Sequence, residues 1–312
     1  MSTEVTAKTR TIHPDTSVGL LSLTVSDLER SLDFYTQAVG FQNLDRSGSE
    51  ATLGAGGQPL LLLREQTAAK SWPRNGRSYT GLYHFAILVP TREDLGSWVK
   101  HWLDLGHPIG QGDHRVSEAL YLEDPDLHGI EIYRDRPRDE WEWDNGRVRM
   151  GSDPVDIRGM IEAAERAGKR FEGLPPGTKL GHMHLQVGDI PEAERFYNHI
   201  LGFDIVASMP TALFVSAGGY HHHIGMNTWH SQSAPSAPSD SVRLSFFTID
   251  LPNETARQEV LDRLEEAGVA YHREGEHVVV DDPWGNRAVL QIGAALSHAV
   301  ARSLSVAAQM PS

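Results

Sequence analysis

Sixteen histidines and no cysteine stand among the 312 residues, so any metal in this chain is held by imidazole and carboxylate, and thiolate nucleophiles and disulfides are excluded. The histidines are not scattered evenly. His182 and His184 are two apart in Lys179–Val187, His84 sits in Gly81–Ala86, and His221, His222 and His223 run consecutively before Ile224. Glu131 lies in the apolar-rich run Gly129–Tyr133, and Tyr121 lies in Ala119–Leu122. Neutral imidazole beside carboxylate suits two kinds of chemistry, divalent-metal ligation and proton transfer near neutral pH. A single histidine in a strand is more often a satisfied core residue than a ligand, so position has to decide.

The elements that must position these groups repeat. Gly19 and Gly181 are 162 residues apart (181 − 19 = 162), and the same offset carries Asp27 to Asp189, Phe34-Tyr35 to Phe196-Tyr197 and Gly40-Phe41 to Gly202-Phe203. It also carries Pro90 to Pro252 and Gly106 to Gly268. A register held over about 90 residues is a duplication. The strand that contains His182 and His184 has Leu20 and Ser22 at the matching places of the first copy.

Each copy divides again. Gly19–Val25 alternates as a strand; Leu28, Ser31, Leu32, Tyr35 and Val39 fall at helical spacing after the cap residues Ser26-Asp27, and Gly40 stops the helix. Leu60–Leu63 is a buried strand. Leu82–Val89, a helix from Thr91 to Leu103 and strands at Ala119–Leu122 and Gly129–Tyr133 form a second unit. Units three (Leu180 to Trp229) and four (Val242 to Ile292, with a helix over Thr255–Ala267) repeat the plan. The expected organisation is one domain over 18–134, a connector over 135–178, a second domain over 179–293, and tails at 1–17 and 294–312, the latter helical. The connector holds Trp141, Trp143 and a short helix over Ile157–Ala167, and Ser231–Ser241 is a lid-like loop.

Four β-α-β-β-β units in tandem pairs, with Asp-x6-Phe-Tyr-x4-Gly-Phe in units one and three, resemble the vicinal oxygen chelate superfamily of glyoxalases, bleomycin-resistance proteins and extradiol dioxygenases. Gly81-Leu82-Tyr83-His84-Phe85-Ala86, Gly129–Tyr133, Gly181–Leu185 and Tyr220–Asn227 are most similar to two-domain catechol 2,3-dioxygenases. The resemblance implies an α+β fold of four βαβββ modules in two tandem glyoxalase-like domains, their mixed sheets paired into cup-shaped half-barrels. It also implies two histidines and one glutamate as metal ligands. Unit one offers only Leu20 and unit four only Phe246 and Val289, whereas unit two offers His84 and Glu131 and unit three His182. Unit two is therefore expected to pack against unit three, and unit one against unit four, with one metal per chain. By the same resemblance His223 is the acid–base catalyst, preferred to His222 because strand side chains alternate, and Tyr121 contacts substrate. His114, His184, His222 and Asn227 are further substrate-side candidates, and His184 is an alternative ligand.

The reading is a non-heme Fe(II) extradiol dioxygenase acting on a catechol and O2, with Mn(II) acceptable to the same ligands. Its rivals are a glyoxalase-like isomerase or thiol transferase, and a metal-free binding or resistance protein. A formal charge of −14 argues against nucleic-acid or anionic-membrane partners. No apolar run approaches a membrane span, and the polar Met1-Ser2-Thr3-Glu4 lacks a signal-peptide core. A cytoplasmic protein is expected, and a homodimer is plausible from sheet edges that pair between subunits.

Overall fold

The computed structural model describes residues 11–71 and 79–293. The stretch 1–10 and the helical tail expected over 294–312 lie outside the described residues. Module one runs β1 (Ser17–Val25), α1 (Leu28–Asp33), β2 (Gln42–Ser47), β3 (Glu50–Ala55) and β4 (Gln58–Glu65). Module two runs β5 (Gly81–Leu88), α2 (Arg92–Asp104), β6 (Gly110–Asp113), β7 (Ser117–Glu123) and β8 (Gly129–Asp135). The connector forms a small hairpin, β9 (Trp143–Asp144) and β10 (Arg147–Val148), then α3 (Ile157–Arg166). Module three comprises β11 (Lys179–Gln186), α4 (Ile190–Ala193), β12 (Asp204–Met209), β13 (Ala212–Ser216) and β14 (Ile224–Asn227). Module four comprises β15 (Arg243–Leu251), α5 (Glu254–Glu266), β16 (His272–Glu274), β17 (His277–Asp281) and β18 (Arg287–Ile292).

The same device starts the helix of every module. Asp27, Thr91, Asp189 and Asn253 sit in extended backbone and accept a hydrogen bond from the N–H three residues on, which satisfies one of the donors a helix start leaves open. The first helix does not continue regularly to Val39 as its spacing predicts. Phe34–Val39 widens into a π-helical turn, closed where the N–H groups of Gly40 and Phe41 both donate to the Tyr35 carbonyl. Over six residues the apolar spacing of a π turn and an α turn is too similar to separate. Gly40 leaves the turn at φ 95°, a left-handed backbone suited to glycine.

Two eight-stranded sheets result. One has the order β12-β13-β14-β11-β5-β8-β7-β6, the other β16-β17-β18-β15-β1-β4-β3-β2. Module two is thus joined to module three through the antiparallel pair β5·β11, and module one to module four through β1·β15. Within each module the first and last strands run parallel. Each sequence half contributes one module to each sheet. Modules one and two meet through their helices instead, where Trp98 Nε1 donates to the Val39 carbonyl (3.0 Å). A second clasp is Tyr35, whose hydroxyl donates to buried Asp124 (2.8 Å); Tyr197 does the same to Asp282 in the other half (3.0 Å). Both aspartates also accept the N–H groups of their own turns.

The connector crosses both halves. The α3 backbone at Met160 lies against Gly96 of α2, Leu174 N–H donates to the Gly40 carbonyl, and Trp141 packs on Tyr220 of module three. Residues 11–16 are also tied down, since Ile12 is buried and its N–H reaches the Gly202 carbonyl. Leu20, Leu62, Phe246, Val279 and Val289 fill the cup of the sheet made by modules one and four. At about 1.5–3 kcal/mol for burying each large apolar side chain, this cup is core rather than site. Among the described residues no helix is long and apolar enough to cross a membrane.

Candidate metal centre

The other cup holds the chemistry. β5 and β8 run side by side with Ala86 opposite Glu131, and β11 lies on the far side of β5 with His184 opposite His84. This registry brings His84, Glu131 and His182 together at the floor of the cup, with one ligand atom from each within 4.8 Å of the others. His84 Nε2 and His182 Nε2 are each 3.1 Å from the same oxygen, Glu131 Oε2. All three side chains are buried. No other cluster of this kind occurs among the described residues.

The donors fit a divalent cation. Two ligands at right angles around an ion with bonds of roughly 2.0–2.2 Å stand about 3 Å apart, which is the spacing of each imidazole from the carboxylate. His84 Nε2 makes no well-directed hydrogen bond, and His182 Nδ1 has no partner. Leaving such buried groups unsatisfied costs about 1–3 kcal/mol each. Burial pushes the Glu131 carboxyl up, but His182 and then His84 hold it well below the usual carboxylate range. Burial lowers His84 below the ordinary histidine value, with Glu131 opposing. Carboxylate and neutral imidazole are the forms that bind metal.

His184 is not a fourth member of this set. The Asn227 amide donates to its Nε2 (3.0 Å), which leaves the ring proton on Nδ1. Burial, then the neighbouring His84 and His182, hold His184 well below its ordinary value. Asn227 itself is fully buried behind His184 and does not line the cavity.

Above the three ligands opens a cavity of about 730 Å³. Tyr121, His114, His184 and His222 line it, together with Tyr83, Phe214, Met150, Met209 and Trp229, which the sequence reading did not single out. Tyr83 stands inside one of the quoted motifs and Trp229 just beyond another, whereas Met150, Met209 and Phe214 lie in none and carried no signal. His114 Nδ1 donates to the Gly151 carbonyl (2.7 Å), so its Nε2 accepts from the Tyr121 hydroxyl (2.5 Å). Burial and then the Glu131 charge push the Tyr121 phenol well above its ordinary value, so it stays protonated.

The expected orientation of the histidine run is reversed. His222 lines the cavity with its ring 4.1 Å from that of His182, centroid to centroid, whereas His223 is absent from the lining and its Nδ1 accepts from Ala217 N–H (3.1 Å). Residues 221–223 precede β14 in a bent segment, so strand alternation does not govern them. Burial is the first cause that lowers both groups, His222 well below its ordinary value and His223 to about 3.

This chain belongs to the Glyoxalase/Bleomycin resistance protein/Dioxygenase superfamily, whose family model matches residues 17–132 and 179–290. Within it the chain is 46% identical over 276 residues to catechol-2,3-dioxygenase of Bacillus subtilis (strain 168), covering 87% of this chain and 95% of that protein. A shorter stretch of 133 residues, 41% of this chain and 88% of the relative, is 30% identical to metallothiol transferase FosB of Staphylococcus epidermidis. Among solved structures, glyoxalase I from Zea mays shares the fold, with a TM-score of 0.53 at 16% identity over 88% of this chain and 92% of that one.

Proposed function

We propose that the protein is a non-heme Fe(II) extradiol dioxygenase that cleaves a catechol-type aromatic with both atoms of O2, Mn(II) being acceptable to the same ligands. The observation that carries this reading is the His84–Glu131–His182 set at the floor of a large, aromatic-walled cavity. Two histidines and one carboxylate are the donor set of non-heme iron oxygenases. The 46% likeness to a catechol-2,3-dioxygenase supports it.

His84, His182 and Glu131 would hold the metal, which when bound would supply the redox chemistry that activates catechol and O2 toward each other. The chain's own residues do the rest. Phe214, Trp229, Met150 and Met209 give the ring an apolar wall to lie against. His222 takes a proton from a catechol hydroxyl and returns it to the reacting oxygen. Tyr121, held as a neutral phenol with His114 behind it, orients the substrate oxygens.

The test is anaerobic loading with Fe(II), addition of catechols in air, and measurement of oxygen uptake with appearance of a yellow ring-opened product. Turnover in the wild type and loss of bound metal in Glu131→Ala support the reading. An Fe(II)-loaded protein that consumes no oxygen with a panel of catechols refutes it. The FosB-like stretch favours a second reading, a metal-dependent thiol transferase on the same three ligands. In that case thiol is consumed while oxygen is not.

A further inference from the structure

His222 is the end of a chain of polar groups that leads away from the cavity. Its Nδ1 is 2.9 Å from His221 Nδ1, and His221 Nε2 is 2.9 Å from Asp135 Oδ1. The direction of each bond follows from the far end. An ionised carboxylate only accepts, so His221 Nε2 carries its proton. A neutral imidazole has one N–H, which leaves His221 Nδ1 as an acceptor. His222 Nδ1 therefore donates, and its Nε2 keeps a free lone pair. That nitrogen makes no hydrogen bond among the described residues, and the ring lines the cavity against His182.

The chain is held firmly. His221 is fully buried, with the Tyr220 ring centroid 4.1 Å and the Trp141 centroid 5.2 Å from its own. Tyr220 donates to Asp135 Oδ1 (3.2 Å) and Tyr133 donates to Tyr220 (2.7 Å). Glu131, Tyr133 and Asp135 alternate along one face of β8, so one strand supplies the carboxylate of the metal centre, the tyrosine brace and the outer end of the chain. The Asp135 side chain is 24% exposed and brings that end toward solvent.

We propose that Asp135 and His221 are positioning residues that fix the tautomer of His222, presenting its bare Nε2 to a substrate hydroxyl in the cavity. This deepens the ring-cleavage reading and rests on it only for the nature of that hydroxyl. The proton accepted at Nε2 goes back to the substrate, so the Asp135–His221–His222 chain ends a turnover with the protons it began with. A triad with a wrong tautomer keeps its geometry and loses rate, as the serine-protease aspartate illustrates.

His221→Phe keeps a ring between Tyr220 and Trp141 and removes the acceptor, while Asp135→Asn serves as a second variant should the first fail to fold. In Fe(II)-loaded enzyme each is expected to lower kcat by roughly 100-fold, with KM within about twofold and bound iron unchanged. In a His222→Ala background neither should add a further loss, because both act through His222. Nitrogen NMR of histidine-labelled, metal-free protein gives a readout independent of turnover. Wild type should show His222 as a single Nδ1–H tautomer, and His221→Phe should move it toward Nε2–H. An equal further loss in the His222→Ala background overturns the proposal, as does a His222 tautomer unchanged by His221→Phe. If the wild type cleaves no catechol, the ring-cleavage reading falls while the NMR result still decides the positioning role.

Discussion

The cup without ligands carries its own titratable group, and its effect on stability can be worked from the structure. Asp250 on β15 is 7% exposed, and its Oδ1 accepts from Thr248 Oγ1 (2.7 Å) and Gln291 Nε2 (2.5 Å). Those two donors lower its pKa, but burial outweighs them and raises the carboxyl from 3.8 to about 6. A folded-state value about 2 units above the unfolded one means that the native state binds this proton more tightly. Wild-type stability from this group is therefore greatest below about pH 4, falls as pH rises to about 6, and is flat above, a loss of about 3 kcal/mol at ~1.4 kcal/mol per unit. Asp250→Asn removes the ionisation and keeps the carbonyl that both donors need. Its new amide would lie against Gly19 in place of Oδ2, and a buried N–H donor left without an acceptor there costs about 1 kcal/mol. The variant should thus be about 2 kcal/mol more stable than wild type at pH 8 and about 1 kcal/mol less stable below pH 4. Urea denaturation of both metal-free proteins from pH 4 to 8 measures this directly. A difference that does not vary with pH, or a variant less stable at pH 8, refutes the reasoning.

A methyl group at Gly181 would overlap the Tyr133 hydroxyl, so Gly181→Ala should cost about 1–3 kcal/mol by overpacking, with Tyr133→Phe in the same chain recovering part of the loss in the denaturation midpoint. Tyr35→Phe leaves Asp124 short of one donor, and Tyr197→Phe does the same to Asp282. Each should lower unfolding free energy by about 1–2 kcal/mol, and the two losses should add because the sites are separate. Glu131→Gln should bring bound divalent metal, measured by elemental analysis after dialysis, to a small fraction of the wild-type content, whereas Asn227→Ala should leave it unchanged.

The split of the candidate metal centre across modules two and three was legible because ligation needs particular side chains. Leu20, Phe246 and Val289 cannot bind a metal, so the repeat itself pointed to His84, Glu131 and His182. The helix starts were legible too, since Asp27 and Thr91 carry the side-chain oxygen that a cap requires. His222 and His223 were not, because the alternation used to choose between them holds inside a strand and they stand in the bend before one. Asn227 carried the right chemistry in a motif that matched, yet its amide serves His184 from behind. Asp135 had a signal, two places beyond Tyr133 and four beyond Glu131 on the same strand face, but its partner His221 lies 86 residues away and only the assembled sheet joins them.

The nested order of the modules makes the two halves of the sequence interlock. Residues 18–134 alone would expose the backbone of β1 and β5 that β15 and β11 otherwise pair, and the second half would expose the complementary edges. Two open edges on each piece are templates for the other. The connector sets their stoichiometry at one to one and raises their local concentration, and a single cut within it should leave two fragments that still co-elute in size-exclusion chromatography. The duplication thus produced halves whose sheet edges complete one another, with the candidate metal centre lying on the seam they share.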